Sequence, residues 1–190
     1  MSLRQIFSVL ALLLAPALAF AHPGHAESGL LSGLSHPLTG IDHLLAMLAV
    51  GLWAAQQQSA ARWALPLTFL GSMLLGALLA YSGMALPFTE SAIAGSVMAF
   101  SLLVLIAARL PMVAALSLTA SFALFHGVAH GQELPATSGA LVYACGFLLA
   151  TAGLHALGFA LIRYLPRAAE PMLRISAAFS AAAGCWLLVS

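Results

Sequence analysis

Long apolar runs dominate the chain beyond its first two dozen residues, and short polar or proline-containing segments separate them. Each run is close to the ~20 residues that a helix needs to cross a bilayer. Pro37, Pro111 and Pro171 stand where runs begin, the position that proline prefers in helices. The pattern predicts an all-α, polytopic membrane helix bundle with about six transmembrane helices, near Pro37–Ala55, Trp63–Tyr81, Glu90–Ala108, Pro111–Gly131, Ser138–Tyr164 and Pro171–Val189.

The segment before these runs is typical of a secretory signal peptide. Arg4 supplies a positive start, Ile6–Leu14 an apolar stretch, and Ala19-Phe20-Ala21 a small-residue cleavage site. We therefore expect a signal peptide over 1–21 and one six-helix transmembrane domain over 22–190, with His22 as the mature N-terminus. An uncleaved first helix is the alternative, although the apolar stretch is short for a full span.

Arginines occur only in alternate loops between the predicted helices, which sets an orientation. Arg62, Arg109 and the group Arg163, Arg167 and Arg174 follow the first, third and fifth predicted helices. Because positively charged loops stay in the cytoplasm, both mature termini are expected in the periplasm. The prediction is a multi-pass protein of a bacterial inner membrane.

Composition supports this class and excludes others. Apolar residues make up 63% of the chain and charged residues 6%, with a mean hydropathy of +1.06, whereas soluble domains carry about 25% charged residues. A net charge of +1 is not the excess of basic residues that is typical of nucleic-acid-binding proteins. Cys145 and Cys185 lie in apolar runs without CxxC spacing, so neither a disulfide framework nor a zinc ribbon is indicated.

Ionisable residues within membrane helices are costly, and they indicate function by default. The first predicted helix opens with His36, Asp42 and His43; the two histidines are seven residues apart and share a face if one helix covers both. Asp42 either reaches the same ion from the side or orients a histidine. A capping box, Thr39-x-x-Asp42, is the rival explanation for that carboxylate.

The fourth predicted helix closes with a second polar group. His126 and His130 stand at i and i+4, which places both imidazoles on one face, and Glu133 returns to that face seven residues after His126. Imidazole nitrogen together with carboxylate suits a divalent transition metal. Gly127 and Gly131 form a GxxxG pair, which we expect to bring this helix close to the first one, although plain packing also explains it.

The topology places both polar groups at the outer ends of their helices, where they can meet.

His155 lies about 17 residues into the fifth predicted helix, or about 25 Å down at 1.5 Å per residue. We interpret it as a second station towards the cytoplasm, with a hydrogen-bonded core histidine as the alternative. His22 and His25 at the mature N-terminus capture metal weakly or belong to an unstructured tail. Met47 is expected to pack, with a thioether ligand as the alternative, and Glu90 is expected to favour its helix dipole.

Two segments resemble a known family. His36-Pro37-x-x-Gly40-x-Asp42-His43 is similar to a signature of the HupE/UreJ family, hydrogenase and urease accessory proteins regarded as nickel or cobalt permeases. Phe125-His126-Gly127-x-Ala129-His130-Gly131-x-Glu133 resembles the second signature of that family. Leu154-His155 and His22-x-Gly24-His25 also fit, so the resemblance extends over essentially the whole chain.

The resemblance implies transport of Ni²⁺ or Co²⁺ into the cytoplasm, and supply of metal to hydrogenase, urease or cobalamin pathways. No prosthetic group is expected, since the metal is the cargo, and Zn²⁺ is a substitute in vitro. The chain has no P-loop, so it is not expected to use ATP. As a permease it is not expected to be an enzyme. A homo-oligomer is left open.

The alternative function is an intramembrane zinc hydrolase of the lipid-amidase type, with Glu133 as general base, although no HExxH motif is present.

Overall fold

A computed structural model describes residues 29–58, 60–134 and 139–190 of the chain. The predicted signal peptide over 1–21 lies outside the described residues, and so do His22 and His25. Their cleavage and metal capture therefore remain predictions.

The described ranges form an all-helical structure, which confirms the predicted fold class. Seven α-helices are present in these ranges, together with one 3-10 turn over Arg167–Ala169. In chain order they are α1 Gly29–Thr39, α2 Ile41–Gln56, α3 Ala61–Tyr81, α4 Thr89–Leu105, α5 Met112–Gln132, α6 Ala140–Tyr164 and α7 Glu170–Val189.

Within the described ranges, four helices are long and apolar enough to cross a membrane: α3, α5, α6 and α7. The pair α1 and α2 passes the same test as one broken span, bent by 84°. Helix α4 is also apolar but has 17 residues, about 25 Å of helix against a hydrocarbon core of about 30 Å. The helices fit a multi-pass membrane protein, and six full spans stay a prediction that depends on α4.

The prediction that one helix begins at Pro37 is wrong. Pro37 is a buried residue inside α1, and the chain instead breaks at Gly40, whose backbone is extended (φ −90°, ψ 116°). The Thr39 hydroxyl donates to the carbonyl oxygen of His36 at 2.8 Å, which satisfies one of the acceptors that the end of α1 leaves open. In contrast, Pro111 directly precedes α5 and Pro171 lies in the first turn of α7, both as expected.

Helix α2 lies at the centre of the bundle and contacts α1, α3, α4, α6 and α7. Its far end is tied to α4 and to the segment that follows α4: Trp53 Nε1 and Gln57 Nε2 each donate to the carbonyl of Ala108, three residues beyond that helix, at 2.9 Å. Gln56 Nε2 donates to the carbonyl of Val104 at 3.0 Å. These bonds hold α2 along its axis and so position the residues of its first turn.

Helices α3 and α5 make the most extensive contact in the described structure, and glycine allows it. A Cβ atom at Gly127 would overlap the carbonyl oxygen of Met73, and one at Gly131 would overlap the backbone of Ala77. The GxxxG pair therefore packs against α3. The expectation that it brings α5 close to the first predicted helix is wrong, because spacing along one helix does not say which neighbour the small face meets.

We expect Gly127→Ala to destabilise the protein by about 1–3 kcal/mol, since the new methyl group meets backbone that cannot rotate away. Gly153→Ala in α6 is the matched control, because a Cβ atom there meets nothing within 4 Å and alanine favours helix. The measurement is the thermal unfolding temperature of the purified variants in one detergent. Equal unfolding temperatures would contradict the close approach of α3 and α5.

Candidate functional site

Four histidine rings form a continuous row inside the bundle. The ring centroids are 4.9 Å apart between His36 and His130, 4.9 Å between His130 and His43, and 4.8 Å between His43 and His126. His126 and His130 have no exposed surface, His43 is 9% exposed, and the His36 side chain is 27% exposed. The row therefore runs from a partly open end at His36 into the core at His126.

Three helices supply this row. His126 and His130 lie on α5 at the predicted i, i+4 spacing, whereas His36 lies on α1 and His43 on α2. The break at Gly40 means that His36 and His43 do not share one helix face, contrary to the expectation. The bend still brings their ring centroids to 6.4 Å.

Asp42 orients His43. One carboxylate oxygen of Asp42 accepts the His43 backbone N–H at 2.7 Å and bonds to His43 Nδ1 at 2.9 Å. An ionised carboxylate only accepts, so Nδ1 carries the proton and Nε2 keeps its lone pair. Nε2 is buried without a partner. The capping box is wrong, because Gly40 caps α2 with no side-chain bond and Thr39 donates to His36 instead.

Ser96 on α4 orients His126, as Asp42 orients His43. This role of Ser96 was not predicted from the sequence. The Ser96 hydroxyl donates its one proton to the carbonyl of Ile93 at 2.6 Å, and its oxygen lies 2.9 Å from His126 Nε2. His126 Nε2–H must then be the donor to Ser96, which leaves the lone pair on Nδ1. That atom is buried and without a partner.

We expect Ser96→Ala to raise the metal concentration for half-maximal uptake by about 10- to 100-fold, the range for lost orienting partners of metal-binding histidines. The cause is that His126 Nε2 loses its acceptor, so neither ring orientation nor tautomer is fixed. Ser121→Ala is the control, since its hydroxyl bonds only to the Ser117 carbonyl at an exposed position. An unchanged half-saturation value at equal protein abundance would contradict the role of Ser96.

His130 lies between His36 and His43, and both of its ring nitrogens are buried without a partner. Its ring stacks on Phe147 of α6, with centroids 4.9 Å apart and planes 4° from parallel. The aromatic surface fixes the ring without using either nitrogen. Buried polar atoms are normally hydrogen-bonded, so these orphan nitrogens indicate a ligand position.

A cavity of about 220 Å³ opens beside the row and is lined by His36, Asp42, His43, Glu90 and Glu133, among others. Three of the five acidic residues of the chain thus face one space. Glu133 Oε2 also lies 2.5 Å from His36 Nε2. The position of Glu90 in this cavity was not predicted. The sequence places Glu90 at the start of a helix but does not show which neighbours that side of α4 faces.

His155 lies deeper than the row. Phe69 separates the two, with ring centroids 5.4 Å from His126 and 5.1 Å from His155. The backbone of His155 packs directly on Gly51, two helical turns beyond His43 on α2. Both ring nitrogens of His155 are buried without a partner. His155 thus lies next to the inner end of the row, across the Phe69 ring, and its use as a ligand stays a prediction.

The row is a succession of ring pairs and not a single cluster. Among the described residues, no three His, Cys, Asp or Glu side chains are placed to hold one metal ion together. Neighbouring imidazoles are nevertheless in ring contact, and the carboxylates lie at one end only. Neutral imidazole nitrogens with adjacent carboxylates are suited to divalent nickel, cobalt or zinc.

Comparison with known proteins decides the family. The family model described as HupE / UreJ protein matches residues 10–187. The chain belongs to the HupE/UreJ family. Protein HupE from Rhizobium leguminosarum bv. viciae is similar to it, with 42% identity over 191 residues and full coverage of both chains. No solved structure matches the chain.

Membership confirms the resemblance seen in the two polar motifs. The HupE/UreJ family is associated with nickel and cobalt uptake for hydrogenase and urease, and its members are accessory or transport proteins rather than known enzymes. In this member, both motifs contribute rings to the same buried row. Family membership and the geometry of the row are both consistent with transport of a cation.

Proposed function

We propose that this HupE/UreJ protein carries Ni²⁺ or Co²⁺ across the bacterial inner membrane into the cytoplasm by secondary, ATP-independent transport. One observation supports the proposal above all. The row of four histidines leads from a cavity with three carboxylates into the apolar core, and four of its ring nitrogens are buried without partners. Such groups are expensive to keep in a membrane protein unless a cation uses them.

The cavity of Asp42, Glu90 and Glu133 is the entrance in this proposal. Carboxylates facing one small space concentrate cations and steer them inwards. The arginine pattern places this end at the periplasm. At the opposite end of α2, a second cavity of about 220 Å³ is lined in part by Gln56, Glu170 and Arg174.

A path that offers an ion two imidazole ligands at each step suits transport. An ion that meets two imidazoles and its own remaining water at each step is bound firmly enough to enter and weakly enough to leave. His36 and His130 form the first pair, His130 and His43 the second, and His43 and His126 the third. His155 is the following station beyond Phe69. His22 and His25 would deliver metal to the entrance.

The zinc-hydrolase alternative is not supported by a comparable observation. Catalytic zinc needs three protein ligands and one open position for water. Among the residues that the structure describes, no such triplet is formed. Glu133, the expected general base, is paired with His36 instead. We therefore propose metal transport alone.

The proposal is tested with the purified full chain in proteoliposomes that contain a nickel-sensitive dye and no ATP. We expect dye quenching by external Ni²⁺ or Co²⁺ well above that in protein-free vesicles. Uptake should fall as external pH is lowered from about 7 to about 5, because a protonated imidazole has no lone pair for a cation. Absence of metal-dependent quenching at every pH would overturn the proposal.

A further inference from the structure

A group of soft and polar side chains lies beyond the histidine row and is not explained by it. Met47 of α2, Met73 of α3 and Thr151 of α6 have no exposed surface. The Thr151 hydroxyl donates to Met47 Sδ at 3.2 Å and lies 3.9 Å from Met73 Sδ. Two thioether sulfurs from different helices therefore face the same oxygen atom.

Packing alone does not account for this convergence. Methionine fills gaps in any orientation, and a thioether is only a weak acceptor. A threonine hydroxyl inside a helix usually bonds to a backbone carbonyl of its own helix. The alternative is that the sulfurs are arranged for a ligand that binds sulfur more strongly than a hydroxyl does.

His155 provides a second and independent observation. It follows Thr151 by one helical turn on α6, so the two side chains share a helix face. His155 is 3% exposed, and neither of its ring nitrogens has a partner. An imidazole with an unused lone pair thus lies one helical turn from the hydroxyl that both sulfurs approach.

The donor set selects the kind of cation. Thioethers are soft ligands that favour Cu(I) and related ions over nickel or cobalt. The donors are neutral, whereas Asp42, Glu90 and Glu133 line the entrance cavity. Because the desolvation free energy of an ion scales with the square of its charge, a neutral buried site suits a monovalent cation better than a divalent one.

We propose that Met47, Met73 and His155, held together by Thr151, form a binding site for a soft monovalent cation, Cu(I) or Ag(I). The rotatable thioethers close on the ion from two sides while the Thr151 hydroxyl moves away from between them. This inference does not depend on nickel transport, since binding is measured on the purified protein at equilibrium.

The test is a titration of the full-length protein in detergent with Ag(I), a redox-stable probe, in a Cys145→Ser, Cys185→Ser background, because the two exposed free thiols would otherwise take up Ag(I) before the thioethers do. All seven methionines are labelled at the ε-methyl carbon and observed by NMR. We expect the Met47 and Met73 signals to shift together and to saturate at one Ag(I) per chain. Met84 and Met112, which are 49% and 40% exposed, are internal controls and should not shift over that range.

Variants give the second readout. Met47→Leu combined with Met73→Leu preserves side-chain volume and should lower Ag(I) affinity by at least about tenfold, with the unfolding temperature nearly unchanged. Met98→Leu on α4 is the matched control. The proposal is overturned if the double variant binds Ag(I) as tightly as the unmodified protein, or if the Met47 and Met73 signals stay in place. Either result leaves the nickel proposal intact, because neither Met47 nor Met73 has a part in it.

Discussion

His130→Ala is expected to abolish nickel and cobalt uptake while the protein remains at normal abundance in the membrane. His130 is in ring contact with both His36 and His43, and both of its ring nitrogens are buried without a partner, so its loss removes an imidazole from two of the three ring pairs. Removal of an orienting partner alone costs such sites about 10- to 100-fold, and loss of the ligand itself should cost at least about 100-fold. His43→Ala is expected to give the same result. The measurement is initial uptake of radiolabelled Ni²⁺ and Co²⁺ by cells.

Gln132→Ala is the matched control, because Gln132 is an exposed residue in the last turn of the same helix. It should take up metal like the unmodified protein. If His43→Ala and His130→Ala both retained normal uptake, the buried row would have no part in transport.

Asp42→Asn should have the second-largest effect, a decrease of about 10- to 100-fold in apparent affinity for the metal. An amide can offer His43 Nδ1 either its oxygen or its NH₂ group, so the tautomer that leaves Nε2 free is no longer imposed. The substitution also removes one negative charge from the entrance cavity. Uptake at several metal concentrations separates these effects from a change in maximal rate.

Glu170→Gln controls for the loss of one carboxylate elsewhere. Glu170 pairs with Arg174 at an exposed position and lines the cavity at the other end of the bundle. We expect its half-saturation concentration to stay close to that of the unmodified protein. An equal decrease in both variants would mean that overall charge, and not the orientation of His43, sets the affinity.

Much of the fold could be predicted from hydropathy, because a chain in lipid must satisfy its backbone groups within helices. The predicted Trp63–Tyr81 and Pro111–Gly131 are observed as Ala61–Tyr81 and Met112–Gln132. The i, i+4 geometry of His126 and His130 also followed from the sequence, since it is a property of one helix.

The remaining features depend on how helices are rotated against each other. Ser96 meets His126 across thirty residues, and Glu90 reaches the entrance cavity, only because of the way α4 faces α5 and α2. The break at Gly40 was missed for a different reason. Proline is compatible with both the first turn and the interior of a short helix next to a break, so Pro37 alone does not locate the helix start.

The central claim is that a transported cation is bound by imidazoles within this row. X-ray absorption spectroscopy at the nickel edge, on the purified chain loaded with one equivalent of Ni²⁺, tests it most directly. We predict the scattering pattern of at least two imidazole ligands, with fewer in the His43→Ala/His130→Ala double variant, which retains none of the three ring pairs. A nickel shell of oxygen atoms alone, or the same imidazole signal in the double variant, would contradict the account.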